Sequence, residues 1–128
     1  MAAKVKILDE SLIQGPVVKK GDTVKYSARF FLNRGDEVTQ DFKSIELYDD
    51  QLTTRIVEDT HLIEHATILG KRQSIAGVEL ALTGMSAGSF REVLIPPHLA
   101  YGKKGTNVVP PDAVIRAKIW LHEITVDA

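Results

Sequence analysis

The sequence predicts an α+β domain, antiparallel strands with one short helix. Two observations carry this. Several segments alternate apolar and polar residues with a period of two, and a single stretch has convincing helical spacing. The first turn signal is Lys20-Gly21-Asp22, followed by Val24, Tyr26, Ala28 and Phe30 on one face of a strand, with Lys25, Ser27 and Arg29 on the other. Asn33-Arg34-Gly35-Asp36 supplies hairpin chemistry, with glycine free to take positive φ. From Asp41 to Leu69, β-branched residues mix with acids and neither period dominates, so strand or loop with strand is expected there. The helix is expected over Ile75–Leu82, with Ile75, Val78, Glu79 and Leu82 at helical spacing and Gly84 as its stop. Phe90–Ile95 reads as a strand ended by Pro96-Pro97, since proline donates nothing to a ladder. The last strand alternates Ile115, Ala117, Ile119 and Leu121 with Arg116, Lys118, Trp120 and His122.

A chain of 128 residues, 44% apolar and 26% charged, is the size of one domain spanning 1–128, with enough apolar content for its own core. The net charge of -1 gives no reason to expect nucleic acid or an anionic membrane as a partner. Without cysteine there is no disulfide framework, thiolate nucleophile or sulfur-rich zinc site. The start, Met1-Ala2-Ala3-Lys4-Val5-Lys6, lacks the apolar core of a secretory signal, and no stretch approaches the roughly 18 apolar residues of a membrane span. A soluble, cytoplasmic protein is expected.

Four fragments in the second half carry a family resemblance. They are Ser74-Ile75-Ala76-Gly77-Val78-Glu79-Leu80-Ala81-Leu82, Gly84-Met85-Ser86-Ala87-Gly88, Ile95-Pro96-Pro97-His98-Leu99-Ala100-Tyr101-Gly102 and Val108-Val109-Pro110-Pro111-Asp112-Ala113. In order and spacing they resemble the FKBP-type peptidyl-prolyl cis-trans isomerase family. Gly15-Pro16, the Lys20–Tyr26 segment and the Gly35 hairpin look like that family's opening strands. The resemblance implies a twisted antiparallel sheet half-wrapped around the helix, with an apparent insertion at about 41–67.

It also implies an activity, isomerisation of X-Pro bonds in peptides and folding chains. Such bonds interconvert in tens to hundreds of seconds because twisting the amide sacrifices resonance, at roughly 18–20 kcal/mol for a peptide bond. A dry apolar pocket disfavours the charge-separated planar amide, and groups that grip the twisted form lower the barrier further, with no nucleophile, metal or cofactor. By resemblance Tyr101 hydrogen-bonds the peptide carbonyl and is the catalytic group, Tyr26, Ile75 and Val109 are pocket walls, and Ser74 offers a backbone contact at the helix entrance. The partners implied are proline-containing peptides or proteins and, more weakly, macrolides such as tacrolimus or rapamycin, bound by a monomer.

The chain departs from the family at three places. Val78 stands where the pocket floor usually has tryptophan, Val38-Thr39 replace a Phe-Asp pair, and Ala117 replaces an aromatic. Aromatic rings supply much of an apolar site's contact area, so a wider, weaker pocket is expected, with Phe42, Tyr48 or His65 as candidates to refill it. A non-catalytic module of the same fold, binding a protein through the altered pocket or the Trp120 face, is the alternative.

Two other motifs match known patterns only in part. His61-Leu62-Ile63-Glu64-His65 matches H-x-x-E-H, but zinc hydrolysis needs that pattern on a helix and a third ligand, and the family register makes it extended. Gly102-Lys103-Lys104-Gly105 resembles a phosphate loop but lies between no strand and helix, so it reads as a loop beside the pocket.

Overall fold

The two long alternating segments pair with each other. In the computed structural model, which describes residues 5–33, 35–38, 53–71, 75–106 and 109–125, the first strand is β1 (Lys6–Ser11) and the second β2 (Thr23–Leu32). A hairpin follows, β3 (Thr53–Val57) and β4 (Thr60–Ile68). Next come helix α1 (Ala76–Leu82), β5 (Phe90–Ile95), a 3-10 turn at Pro97–Leu99 and β6 (Ile115–Thr125). The sheet order is β1-β5-β6-β2-β4-β3, with every pair antiparallel. This is the α+β architecture expected from the sequence.

Pairing of β2 with β6 sets Tyr26 against Leu121, Ala28 against Ile119 and Phe30 against Ala117. Between Lys25 and Tyr26 the register slips, leaving His122 as an extra residue on β6. Such a bulge inverts the alternation. Ile115, Ala117, Ile119 and Leu121 therefore face the core before it, and Ile124 packs against the same core after it.

Helix α1 starts one residue later than expected, with Ile75 as its extended N-cap (φ -60°, ψ 149°). Gly77, Val78, Ala81 and Leu82 are its buried side. A Cβ on Gly77 would stand 2.2 Å from Cγ2 of Ile95, so glycine is what lets helix and sheet approach so closely. Arg91 fixes the other end. Its Nη1 donates to the carbonyls of Ala81 and Thr83, both at 3.0 Å, while Nε donates to Glu10 on β1 at 2.9 Å. The carbonyls at the helix end, which lack intrahelical donors, thereby gain a cationic partner.

The turns behave as their residues demand. Gly21 has φ +97°, and Asp22 Oδ2 accepts from the Lys19 amide at 2.9 Å. The Gly35 turn closes through Leu32 N to Asp36 O at 2.7 Å. Strand β1 has no apolar alternation, because all six of its residues are exposed. Its edge position explains this.

The stretch expected as an insertion contributes β3 and most of β4 to the sheet, and its earlier part, 41–52, lies outside the described residues. Glu58 and Asp59 both take positive φ in the two-residue turn of that hairpin. Strand β4 pairs with β3 through Glu64 and with β2 from His65 onward. That change of partner accompanies a break in alternation, with Leu62 and Ile63 both buried.

Candidate active site

The face of the sheet that carries α1 also carries the residues expected to hold proline. Tyr26, Val78, Val109 and Ala117 belong to the buried core cluster, and Val38, Ile75 and Tyr101 pack against it. Ser74 lies outside the described residues, as do Thr39, Phe42 and Tyr48.

These residues divide by exposure. Val78 (1%), Ala117 (0%) and Val109 (2%) present almost no surface, so they support the site from beneath. Surface for a ligand comes from Ile75, Tyr101 and Val38, which are half-buried.

Tyr101 is held by the loop that follows β5. Pro97 starts a 3-10 turn, its carbonyl accepts from the amides of Ala100 (3.0 Å) and Gly102 (2.8 Å), and the Tyr101 carbonyl accepts from Gly105 (3.2 Å). Gly105 has φ +63°, and a Cβ there would meet the Val109 carbonyl at 2.3 Å. Thr106 accepts the Val109 amide at Oγ1 (3.0 Å) and donates its own amide to the Val109 carbonyl (2.8 Å). Tyr101 and Val109 are thus set by one hydrogen-bonded loop. Burial pushes the Tyr101 hydroxyl above its ordinary value, so it is a neutral donor.

Two further residues lie beside those expected to form the site. Phe30 is directly across from Ala117, on the face shared with Tyr26 and Ala28, and packs against the core. An aromatic absent from β6 is therefore present on the neighbouring strand. The alternation of β2 was its signal in the sequence, although that pattern cannot say what lies opposite. His65 is the cross-strand partner of Tyr26, and their rings stack at 5.2 Å and 29°. Of the three residues expected to refill the pocket, His65 is the one described, and it reaches a pocket-wall tyrosine. Burial pulls its pKa below the ordinary histidine value.

The H-x-x-E-H motif lies on β4, extended as expected, so its histidines lack helical spacing. Glu64 accepts from Arg55 Nε at 2.6 Å, and His61 is exposed. An open recess of about 420 Å³, lined by Leu32, Asn33, Pro110, Asp112, Ala113 and Val114, flanks the Val109 loop but shares no residue with the inferred proline site.

Among the described residues, one helix packs on one face of a six-stranded antiparallel sheet and a tyrosine-bearing loop packs against the same apolar cluster, which defines a small α+β domain. The chain belongs to the FKBP-type peptidyl-prolyl cis-trans isomerase family, whose model matches residues 15–122. FK506-binding protein 4 of Aspergillus fumigatus is 32% identical over 120 residues, covering 94% of this chain and 21% of that protein. Human peptidyl-prolyl cis-trans isomerase FKBP7 is 43% identical over 60 residues, 45% of this chain and 27% of the relative. This chain thus spans about a quarter of the length of these relatives. The crystal structure of FkpA from Escherichia coli matches with a TM-score of 0.65 and 21% identity, over 94% of this chain and 47% of that one, a likeness of fold.

Proposed function

We propose that this domain catalyses cis–trans isomerisation of X-Pro bonds in peptides and folding proteins. The observation that carries the reading is Tyr101, a neutral hydroxyl held by the same loop as Val109 over the apolar cluster that also packs Ile75 and Tyr26. The proline ring sits against Ile75 with Val109 and Val78 beneath, and the hydroxyl donates to the carbonyl of the twisted amide. Resonance lost on twisting is offset because the dry site disfavours the planar, charge-separated amide. Chemistry of this kind asks only for shape, dryness and one donor.

A non-catalytic module is the less favoured reading. The human relative carries an isomerase name, and Phe30 paired with Ala117 supports an aromatic near that position. The name of the Aspergillus relative says that it binds FK506, which supports macrolide binding here, weakened by Val78 and Ala117. A monomer and a cytoplasmic location belong to the same proposal. Light scattering and a fluorescent fusion test these two points.

A protease-coupled isomerisation assay on a proline-containing tetrapeptide tests the activity. Acceleration above the uncatalysed rate that tacrolimus suppresses is expected. A purified, folded domain with no acceleration on the tetrapeptide or on a refolding protein substrate would leave the binding module as the answer.

A further inference from the structure

The face of the sheet turned away from α1 carries an unusual cluster. Phe31 on β2 is half-buried, and three cations surround its ring. The guanidinium carbon of Arg116 is 5.1 Å from the centroid, that of Arg29 5.5 Å and the Lys118 ammonium 5.7 Å. Strand register forces the meeting, since Arg116 is paired with Phe31 and Lys118 with Arg29. The ring's negative face partly offsets the mutual repulsion of the cations.

Internal carboxylates neutralise the cluster unequally. Glu37 takes Arg29 in a fork, both bonds 2.8 Å. Glu92 lies 3.6 Å from Nε of Arg116, too far for a hydrogen bond, and that buried Nε has no partner. Lys118 forms no salt bridge among the described residues. One row along the same face, Trp120 and Phe90 form a half-buried aromatic pair at 5.2 Å. Cationic donors lacking acceptors thus border an apolar strip.

We propose that this face docks an acidic, proline-free segment of a partner protein. A carboxylate of that segment binds Arg116 and Lys118, and a neighbouring apolar side chain lies on Phe90 and Trp120. Charge complementarity selects this occupant. A carboxylate here would reach the Lys118 ammonium and the outer edge of the Arg116 guanidinium, whose side chain is part-exposed, and gain charge-assisted hydrogen bonds. A nucleic acid or an anionic bilayer would ask for a broader basic field, about 4–8 lysines and arginines for a lipid surface, whereas these three cations already share the field of Glu37 and Glu92 and the chain is net -1. The inference is independent of catalysis, because it uses the opposite face of the sheet.

The probe is acetyl-Asp-Glu-Phe-Asp-Glu-amide, and Trp120, the single tryptophan of the chain, is the reporter. At about 50 mM salt we expect a saturable change in emission that is lost at about 500 mM and is absent with acetyl-Asn-Gln-Phe-Asn-Gln-amide. Amide shifts should centre on residues 29–31 and 116–120. Lys118→Glu, and separately Arg116→Gln, should each weaken binding about tenfold, with turnover on an uncharged tetrapeptide unchanged. The inference is overturned by no emission change, by equal binding of the neutral peptide, by shifts centred on Ile75 and Tyr101, or by variants that bind as well as the parent. It is equally overturned if phosphatidylserine vesicles perturb Trp120 while the peptide does not.

Discussion

Tyr26 and His65 are cross-strand partners on β2 and β4, and their rings stack at 5.2 Å on the face of the sheet that carries the candidate site. The stack puts a titratable ring behind a pocket wall. Burial holds the histidine neutral by lowering its pKa.

That lowered pKa predicts a loss of stability on the acid side. With the folded value below the unfolded value of about 6.5, the unfolded chain takes up the proton first. Stability is then complete above about pH 6.5 and falls as pH drops toward the folded pKa. His122, also lowered chiefly by burial, adds to the same trend. Urea midpoints measured from pH 8 to 5 should fall below about 6.5. His65→Phe, which keeps a ring on Tyr26, should make the fall shallower without removing it. An unchanged slope would mean that His65 is not held neutral by the fold.

Tyr101 acts through one hydroxyl. Tyr101→Phe should lower kcat/KM by a few-fold to about tenfold, the equivalent of one hydrogen bond of roughly 0.5–1.5 kcal/mol. The ring remains, so the thermal midpoint should move little. Because burial raises the hydroxyl's pKa, no alkaline limb from Tyr101 should appear up to about pH 10. Unaltered turnover in the variant would remove Tyr101 from the chemistry.

Gly77→Ala should destabilise, against helix propensity. In an open helix the change gains about 1 kcal/mol, but here the new methyl would lie 2.2 Å from Ile95 Cγ2. Overpacking of this kind costs about 1–3 kcal/mol. Adding Ile95→Ala removes the clashing methyl, so the double variant should be more stable than the sum of the two losses predicts. Chemical denaturation of the four proteins in the cycle measures this. Strict additivity would contradict the contact.

Arg91 and Glu10 form an ion pair with unequal partners. Arg91→Ala strips donors from the Ala81 and Thr83 carbonyls at the end of α1 and should lose at least about 1.5–3 kcal/mol. Glu10 is more exposed, its side chain at 37% against 10% for Arg91, and Glu10→Gln should lose under about 1 kcal/mol. Equal losses by urea titration would place the stabilisation in the ion pair instead of the helix end.

Tacrolimus should bind about tenfold or more weakly than to a relative with rings at both the Val78 and Ala117 positions. At roughly 25 cal/mol per Å², tenfold corresponds to about 55 Å² of lost apolar contact. Phe30, across from Ala117, limits the loss. Val78→Trp is not the remedy, since Val78 is only 1% exposed and a larger ring there should overpack the core by about 1–3 kcal/mol. Calorimetric titration with parallel melting curves decides both points. Affinity equal to that of the fully aromatic relative would show that Phe30 and His65 rebuild the missing walls.

The sequence by itself determined the elements that alternate or turn. Strands at 24–30, 90–95 and 115–121, the Gly21 and Gly35 turns and the helix ending before Gly84 were legible, because local periodicity and glycine chemistry depend on neighbours in the chain. The family fragments likewise pointed to Tyr101, Ile75 and Val109. The tertiary structure alone decided what lies across from what. Strand β1 has no apolar pattern because it is an exposed edge, and its existence rests on pairing with β5. The bulge at His122, which turns Ile124 back to the core, depends on the register with β2. The meeting of Phe30 with Ala117, and of Arg116 and Lys118 with Phe31, joins residues over 80 positions apart. Alternation tells which face a side chain occupies, whereas its neighbours on that face are set by strand pairing, a long-range choice made by the whole core.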